Sequence, residues 1–295
     1  TSGIAVGMAT NMAPHNLREV ADAIEIVMTK RRPKPAIDEL MAVLPGPDFP
    51  SGGIVVDDGL RDAYEMGRGT FRIRAKAHVE QTSRNRQSIM VTELPYLVGP
   101  ERVIGKVQEL ANSGKLVGIE GIADLSDMNG LMIQIDVKPA VNPQAVLQEL
   151  YRLTPLEESF GINNVVLVDG VPTTLGLYDL CKAYIDHRLE VIVRRTQFRL
   201  EKAQDRLHIL EGLLVALDAI DEVVAIIRSS ENAAEARDRL IERFELSVIQ
   251  ATHILDMPLR RLTALAKLEL EEEAASLRAD IAGYERLLKS EDRRR

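Results

Sequence analysis

Tryptophan is absent and the aromatic residues make up only 4% of the 295 residues, which excludes a broad base-stacking surface. A single cysteine, Cys181, leaves no internal disulfide framework and no cysteine-cluster metal site. Such sparing use of cysteine fits a reducing compartment. No apolar run approaches the roughly 18 residues of a membrane span. The start, Thr1-Ser2-Gly3-Ile4, has neither an initiator methionine nor the basic region of a signal peptide, so the chain reads as a piece of a longer protein. Cations are in the minority, 37 against 45 acidic residues, for a net charge of −8. That balance speaks against nucleic acid unless the cations cluster on one surface, because duplex binding means neutralising phosphates.

What is present points to a folded chain. Hydrophobic residues reach 45%, enough for a core, and the length suits about two domains. Residues 1–16 are rich in small side chains and read as a tight, irregular connector. Asn16 is placed to cap a helix, with Glu19 three residues on, and Leu17, Val20, Ala21, Ile24 and Val27 follow at helical spacing. From about 54 to 168 strands and helices mix. The strands are expected at Ile54–Val56, Thr70–Val79, Ser88–Glu93, Leu131–Val137 and Ile162–Val168, and the helices at Gly59–Met66, Pro100–Ser113 and Pro143–Tyr151. Beyond about 176 glycine and proline become rare. Leu189, Ile192, Thr196, Leu200, Ala203, Leu207, Leu210, Leu214 and Leu217 step by three and four, and so do Leu270, Ala274, Leu277, Ile281, Tyr284 and Leu288. The spacing predicts two long helices paired antiparallel, over about 40 Å, with the residues between them forming a knob at the far end.

The stretch Arg68-Gly69-Thr70-Phe71-Arg72-Ile73-Arg74-Ala75-Lys76-Ala77 alternates apolar and basic. As one strand it would turn Phe71, Ile73, Ala75 and Ala77 inward and Thr70, Arg72, Arg74 and Lys76 outward, a basic ridge about 20 Å long. Such a ridge suits phosphates; equally, its charges could pair with neighbouring glutamates. Ile4, in its small-residue segment, suits a core position or a wedge between base pairs. His15, His78, His187, His208 and His253 show no metal-ligand spacing, and Glu120, Asp124, Asp127 and Asp136 are too scattered for a magnesium site. Gly105-Lys106 lacks the rest of a phosphate loop. Of the tyrosines only Tyr151 has an adjacent arginine, Arg152, and it ends an apolar helix, so the residues themselves offer no convincing nucleophile.

The segment Gly3-Ile4-Ala5-Val6-Gly7-Met8-Ala9-Thr10-Asn11, followed by Pro14-His15-Asn16-Leu17, resembles the A subunit of bacterial type IIA topoisomerases, the family of DNA gyrase and topoisomerase IV. The resemblance extends through Gly46-Pro47-Asp48-Phe49-Pro50, Gly67-Arg68-Gly69, Glu93-Leu94-Pro95-Tyr96, Ser159-Phe160-Gly161 and Val168-Asp169-Gly170-Val171-Pro172. It continues through His208-Ile209-Leu210-Glu211-Gly212-Leu213 and Ile254-Leu255-Asp256 to Leu259 and Leu262-Thr263. Leu207 looks more like topoisomerase IV than gyrase.

The resemblance implies an α+β multidomain fold: a connector to a winged-helix domain (1–16), a tower domain (17–180), an antiparallel coiled coil (181–217 and 262–295) and a helical dimerisation knob, the C-gate (218–261). It implies a share in an ATP-dependent enzyme that binds and bends one DNA segment, cleaves it through a tyrosine, and passes a second duplex. That tyrosine belongs to the winged-helix domain, and its Arg-Tyr-Thr context occurs nowhere in this sequence, so no catalytic residue is expected here. The DNA contacts implied are Ile4, as an intercalating wedge, and Arg68, Arg72, Arg74 and Lys76. The C-gate contacts would be Ile249, Ile254, Leu255, Met257, Leu259 and Leu262. No metal or cofactor is expected on this chain; Mg²⁺ and ATP would enter through a B subunit in an A2B2 assembly, in the cytoplasm and with no membrane contact. The alternative is a non-enzymatic coiled-coil scaffold carrying a DNA-binding head.

Overall fold

The computed structural model describes residues 2–30, 32–56, 59–83, 86–258 and 264–295, with side chains in the last stretch from 267 onward. The chain divides into two compact units, Thr1–Ile185 and Asp186–Arg295.

The first unit opens with β1 (Ser2–Ala5) and β2 (Met8–Asn11), an antiparallel hairpin where an irregular connector was expected. Small side chains do not oppose strand pairing, and Gly7 takes the left-handed turn position at φ 80°. Helix α1 (Leu17–Thr29) starts at Asn16 as expected, although the Asn16 side chain accepts from the Arg18 N–H rather than forming a box with Glu19. After α2 (Ile37–Met41) come β3 (Ile54–Val56), α3 (Leu60–Met66), β4 (Arg68–Arg74) and β5 (Lys76–Ser83). Thus the single strand expected over Thr70–Val79 is two strands in two different sheets. The break falls at Ala75, which is fully buried and donates its N–H to the Leu156 carbonyl. Then follow β6 (Arg86–Glu93), α4 (Pro100–Asn112), β7 (Ile119–Asp124), β8 (Ile133–Val137) and α5 (Pro143–Leu153). The unit's remaining strands are β9 (Glu157–Asn163), β10 (Val165–Val168) and β11 (Val171–Thr174). Asn164 divides what read as one strand over Ile162–Val168.

The strand orders are β1-β2-β9-β4-β3, β5-β6-β8-β7 and β10-β11, with antiparallel pairing throughout. Alternation along β6 and β8 turns Ile89, Val91, Ile133 and Ile135 to one face, where Val103 and Val107 of α4 and Val146 and Leu150 of α5 cover them. Burying each such side chain contributes about 1.5–3 kcal/mol.

Helix α6 (Leu177–Asp218) leads into the second unit, followed by α7 (Ile220–Ser229), α8 (Ala233–Phe244), α9 (Val248–Leu255), α10 (Ala264–Lys289) and α11 (Glu291–Arg294). Leu210 and Leu217 of the expected seam are buried with Leu270 and Ala274 of α10, and Val223, Leu240, Ala251 and Ile254 from the shorter helices complete one core. Lys267 pairs with Asp218 at 2.5 Å and Arg278 with Glu211 at 2.9 Å, so α10 runs back against the direction of α6. Among the described residues no helix is long and apolar enough to cross a membrane.

Candidate nucleic-acid interface

Strand register decides what shares a surface, because paired residues point to the same side of a sheet. In the five-stranded sheet Ile4 pairs with Ala9 and Ser2 with Asn11. Asn11 pairs with Asn163, and Asn163 with Arg68. Thr70 pairs with Gly161, Arg72 with Ser159 and Arg74 with Glu157. On the far side Arg72 and Arg74 pair with Val56 and Ile54 of β3. One face therefore carries Ile4, Arg68, Arg72 and Arg74, and its side chains are exposed or half-buried from edge to edge. Ile4 itself is 96% exposed. The opposite face holds Phe71 and Ile73, both buried.

The cations on this face are not equally placed. Glu157, whose side chain is 12% exposed, pairs with Arg72 Nη1 at 2.8 Å through Oε1, and with the Arg74 guanidinium through Oε2. Arg74 lies 4.5 Å from the centre of the Tyr151 ring, and the Tyr151 hydroxyl donates to the Ala75 carbonyl at 3.1 Å. Tyr151 is thus a buried packing residue. Burial above all pushes its pKa up, against the pull of Arg74, so it is a poor nucleophile. Lys76 lies in the other sheet, as the first residue of β5, and bonds Glu93 at 3.0 Å. Glu93 also accepts from the Gly53 N–H at 2.6 Å; that bond first, and Lys76 second, hold its carboxyl below the usual range. The basic ridge is therefore shorter than the sequence suggested, because Ala75 turns the chain between sheets.

Three of the separate motifs meet beneath this face. The Phe49 ring lies 5.2 Å from Tyr96, 5.4 Å from Phe160 and 6.3 Å from Phe71. Phe71 and Phe160, one from β4 and one from β9, are 5.4 Å apart. Such aromatic pairs add about 0.5–1.5 kcal/mol beyond their area and hold together the two strands that carry Arg72, Arg74 and Glu157.

Elsewhere the first unit contains an apolar cavity of about 420 Å³ bordered by Leu17, Ile24, Leu44, Tyr64, Ile162 and Cys181. Burial pushes the Cys181 thiol up to about 11, which keeps it protonated and unreactive. His15 and Tyr64 share a 2.6 Å hydrogen bond at its wall. Burial depresses the His15 pKa and raises that of Tyr64. Among the described residues no group of three or more histidine, cysteine, aspartate or glutamate side chains is placed to hold a metal ion.

In the second unit the apolar residues expected at a dimer contact are divided. Ile249 is 58% exposed, and its neighbour Val248, which the sequence did not single out, is equally open. Ile254 is 3% exposed and sits in the unit's own core, where Leu255 and Met257 pack partly against it. Leu259 and Leu262 lie outside the described residues. Helical spacing places Ala251 and Ile254 on the inner stripe of α9 and leaves Val248 and Ile249 on its outer side.

An α+β protein with an open, arginine-bearing antiparallel sheet face and a separate unit built on a long helix is the class these features define. The family model for the A subunit of DNA gyrase/topoisomerase IV matches residues 1–295, and the chain belongs to that family. It is 48% identical over 289 residues to the DNA gyrase A subunit of Lawsonia intracellularis, covering 98% of this chain and 35% of the relative. It is 46% identical over 299 residues to that of Mycobacterium tuberculosis, covering 100% and 36%. It is also 46% identical over 289 residues to that of Borreliella burgdorferi, covering 98% and 35%. The chain thus spans about a third of the length of these relatives. They carry the gyrase name, whereas Leu207 had leaned towards topoisomerase IV.

Proposed function

We propose that this chain is the part of a type IIA topoisomerase A subunit that grips and bends double-stranded DNA and closes the enzyme's dimer. The observation that carries the reading is the shared sheet face. Ile4 and the arginines Arg68, Arg72 and Arg74 are far apart in sequence but lie on one open surface, as an apolar wedge and phosphate contacts on one duplex require. A wedge at Ile4 unstacks a base step at a cost of a few kcal/mol, and guanidinium contacts beside it offset that cost.

In this reading the chain holds no catalytic group. The complete A subunit supplies the tyrosine that cleaves DNA, and a B subunit supplies ATP hydrolysis and Mg²⁺. The intact enzyme is an A2B2 assembly acting on the bacterial chromosome in the cytoplasm. The second unit closes the dimer through an outer apolar patch that includes Val248 and Ile249, and so forms the C-gate.

The test has two arms. The 295-residue chain is titrated with a short duplex at several salt concentrations, and the complete A subunit with its B subunit is assayed on supercoiled plasmid with Mg²⁺ and ATP. The expected result is salt-dependent binding without cleavage by the chain, and a change of plasmid linking number by the assembly. An assembly inert on plasmid would return the chain to the scaffold reading.

A further inference from the structure

We propose that Glu157 limits how strongly the sheet face holds duplex DNA, by neutralising Arg72 and Arg74 with one carboxylate. This rests on the reading of that face as a DNA contact, and concerns a residue that reading does not use.

Glu157 stands directly opposite Arg74 in the β4–β9 register and diagonally across from Arg72. Its Oε1 accepts from Arg72 Nη1 at 2.8 Å, and its Oε2 from Arg74 Nε at 2.7 Å. Both guanidiniums therefore bond the same carboxylate, which is mostly screened from water. Arg74 is held on a second side by the Tyr151 ring and is only 30% exposed, so it is the fixed member. Arg72 is 45% exposed and is the more open of the two. Arg68, at the other end of β4, has no ion pair among the described residues. Among the described residues the face thus presents the guanidiniums of Arg68, Arg72 and Arg74 and the embedded carboxylate of Glu157. A phosphate reaching Arg72 must approach within a few ångströms of Glu157, and the like charges repel.

A carboxylate in this position weakens backbone binding without reading any base. Removing its charge while keeping its shape should favour the bound state, and the change should be largest at low salt, where charge at an interface acts most strongly. Glu157→Gln is that change.

The experiment measures duplex affinity of the 295-residue chain from low to moderate salt for the wild type, Glu157→Gln, Glu157→Asp and Arg72→Ala/Arg74→Ala, with a thermal melt of each. Glu157→Gln is expected to bind about three- to tenfold more tightly at low salt, with a steeper salt slope. Glu157→Asp, which keeps the charge, should stay near wild type. A Glu157→Gln variant that folds but binds equally or more weakly, beside an arginine double variant that has lost affinity, overturns the inference and leaves the DNA face intact. An arginine double variant with unchanged affinity and slope removes the DNA face itself, and the inference with it. Should Glu157→Gln alone lower the melting temperature too far, the comparison moves to an Arg74→Gln background. There the added Glu157→Gln must raise affinity, and failure to do so is equally decisive against it.

Discussion

Asn11 and Asn163 are the paired position that joins the N-terminal hairpin to the sheet bearing the arginines, and each side chain crosses to the other strand. Asn11 Nδ2 donates to the Gly161 carbonyl and Asn163 Nδ2 to the Ala9 carbonyl, both at 2.6 Å. These bonds place Ile4 relative to Arg68. Ile4→Ala should reduce the bend of an end-labelled duplex, read by fluorescence transfer between its ends. Asn163→Ala, with about 1 kcal/mol of hydrogen bonding lost, should reproduce part of that loss. The double variant should be no worse than Ile4→Ala alone; additive losses would mean that Asn163 does not act through the hairpin.

Arg72 and Arg74 should separate affinity from stability. Arg72→Ala should weaken duplex binding and flatten the log–log salt slope by about one unit, with little change in melting temperature. Arg74→Ala uncovers the Tyr151 ring and leaves Glu157 with one partner, and should cost about 1–3 kcal/mol in a denaturant titration. Equal stability losses for the two variants would contradict the different burial of their side chains.

Gly212 on α6 lies against Gln250 of α9, and a β-carbon there would come within 2.6 Å of the Gln250 Cβ and Cγ. Those atoms sit close to the backbone and cannot swing away. Gln250 is also fixed by its bond to the His208 carbonyl at 2.7 Å. Alanine ordinarily gains up to about 1 kcal/mol over glycine within a helix. Here the overlap dominates, and Gly212→Ala should destabilise the chain by about 1–3 kcal/mol. A raised melting temperature would show that α9 can move aside freely.

His15 gives a pH dependence with a definite sign. Burial lowers its pKa, outweighing the pull of the Ala13 backbone and of Asp48 in the other direction. Below its ordinary value of 6.5 the unfolded chain therefore binds a proton that the folded chain resists. Its contribution to stability is full above that pH and is lost as pH falls below it. Acidification from about pH 7.5 to about 5.5 should lower the melting temperature more for the wild type than for His15→Gln, which can keep a bond to Tyr64. Parallel curves for the two proteins would rule out His15 as the source.

Val248 and Ile249 should report the dimer contact. Replacing both with aspartate places charge on an exposed apolar patch and leaves the core residue Ile254 untouched. Sedimentation should show a wild-type dimer dissociating to a well-folded monomer, with a melting temperature within a few degrees of wild type. An unchanged dimer would move the interface away from α9.

Local pattern reached a good part of this molecule. Alternation along β4 correctly separated buried Phe71 and Ile73 from exposed Arg72, because a strand has period two. The leucine seam located α6 and α10, because three- and four-residue steps follow one side of a helix. The hairpin β1–β2 escaped, since small residues carry little strand signal and its pairing partner β9 lies far along the chain.

The sequence by itself determined which residues are apolar, which are basic and at what period they recur, and through its motifs the family. The tertiary structure alone decided that Ala75 ends one sheet and leads into another, that Lys76 leaves the face holding Arg72 and Arg74, and that Glu157 joins those two arginines. It also decided that Ile4 shares their surface and that Ile254 is in a core while Ile249 is open. The physical reason is range. Periodicity and capping act over a few residues, whereas a register between β4 and β9 or a helix against its neighbour is set by burial between segments that the chain order holds far apart.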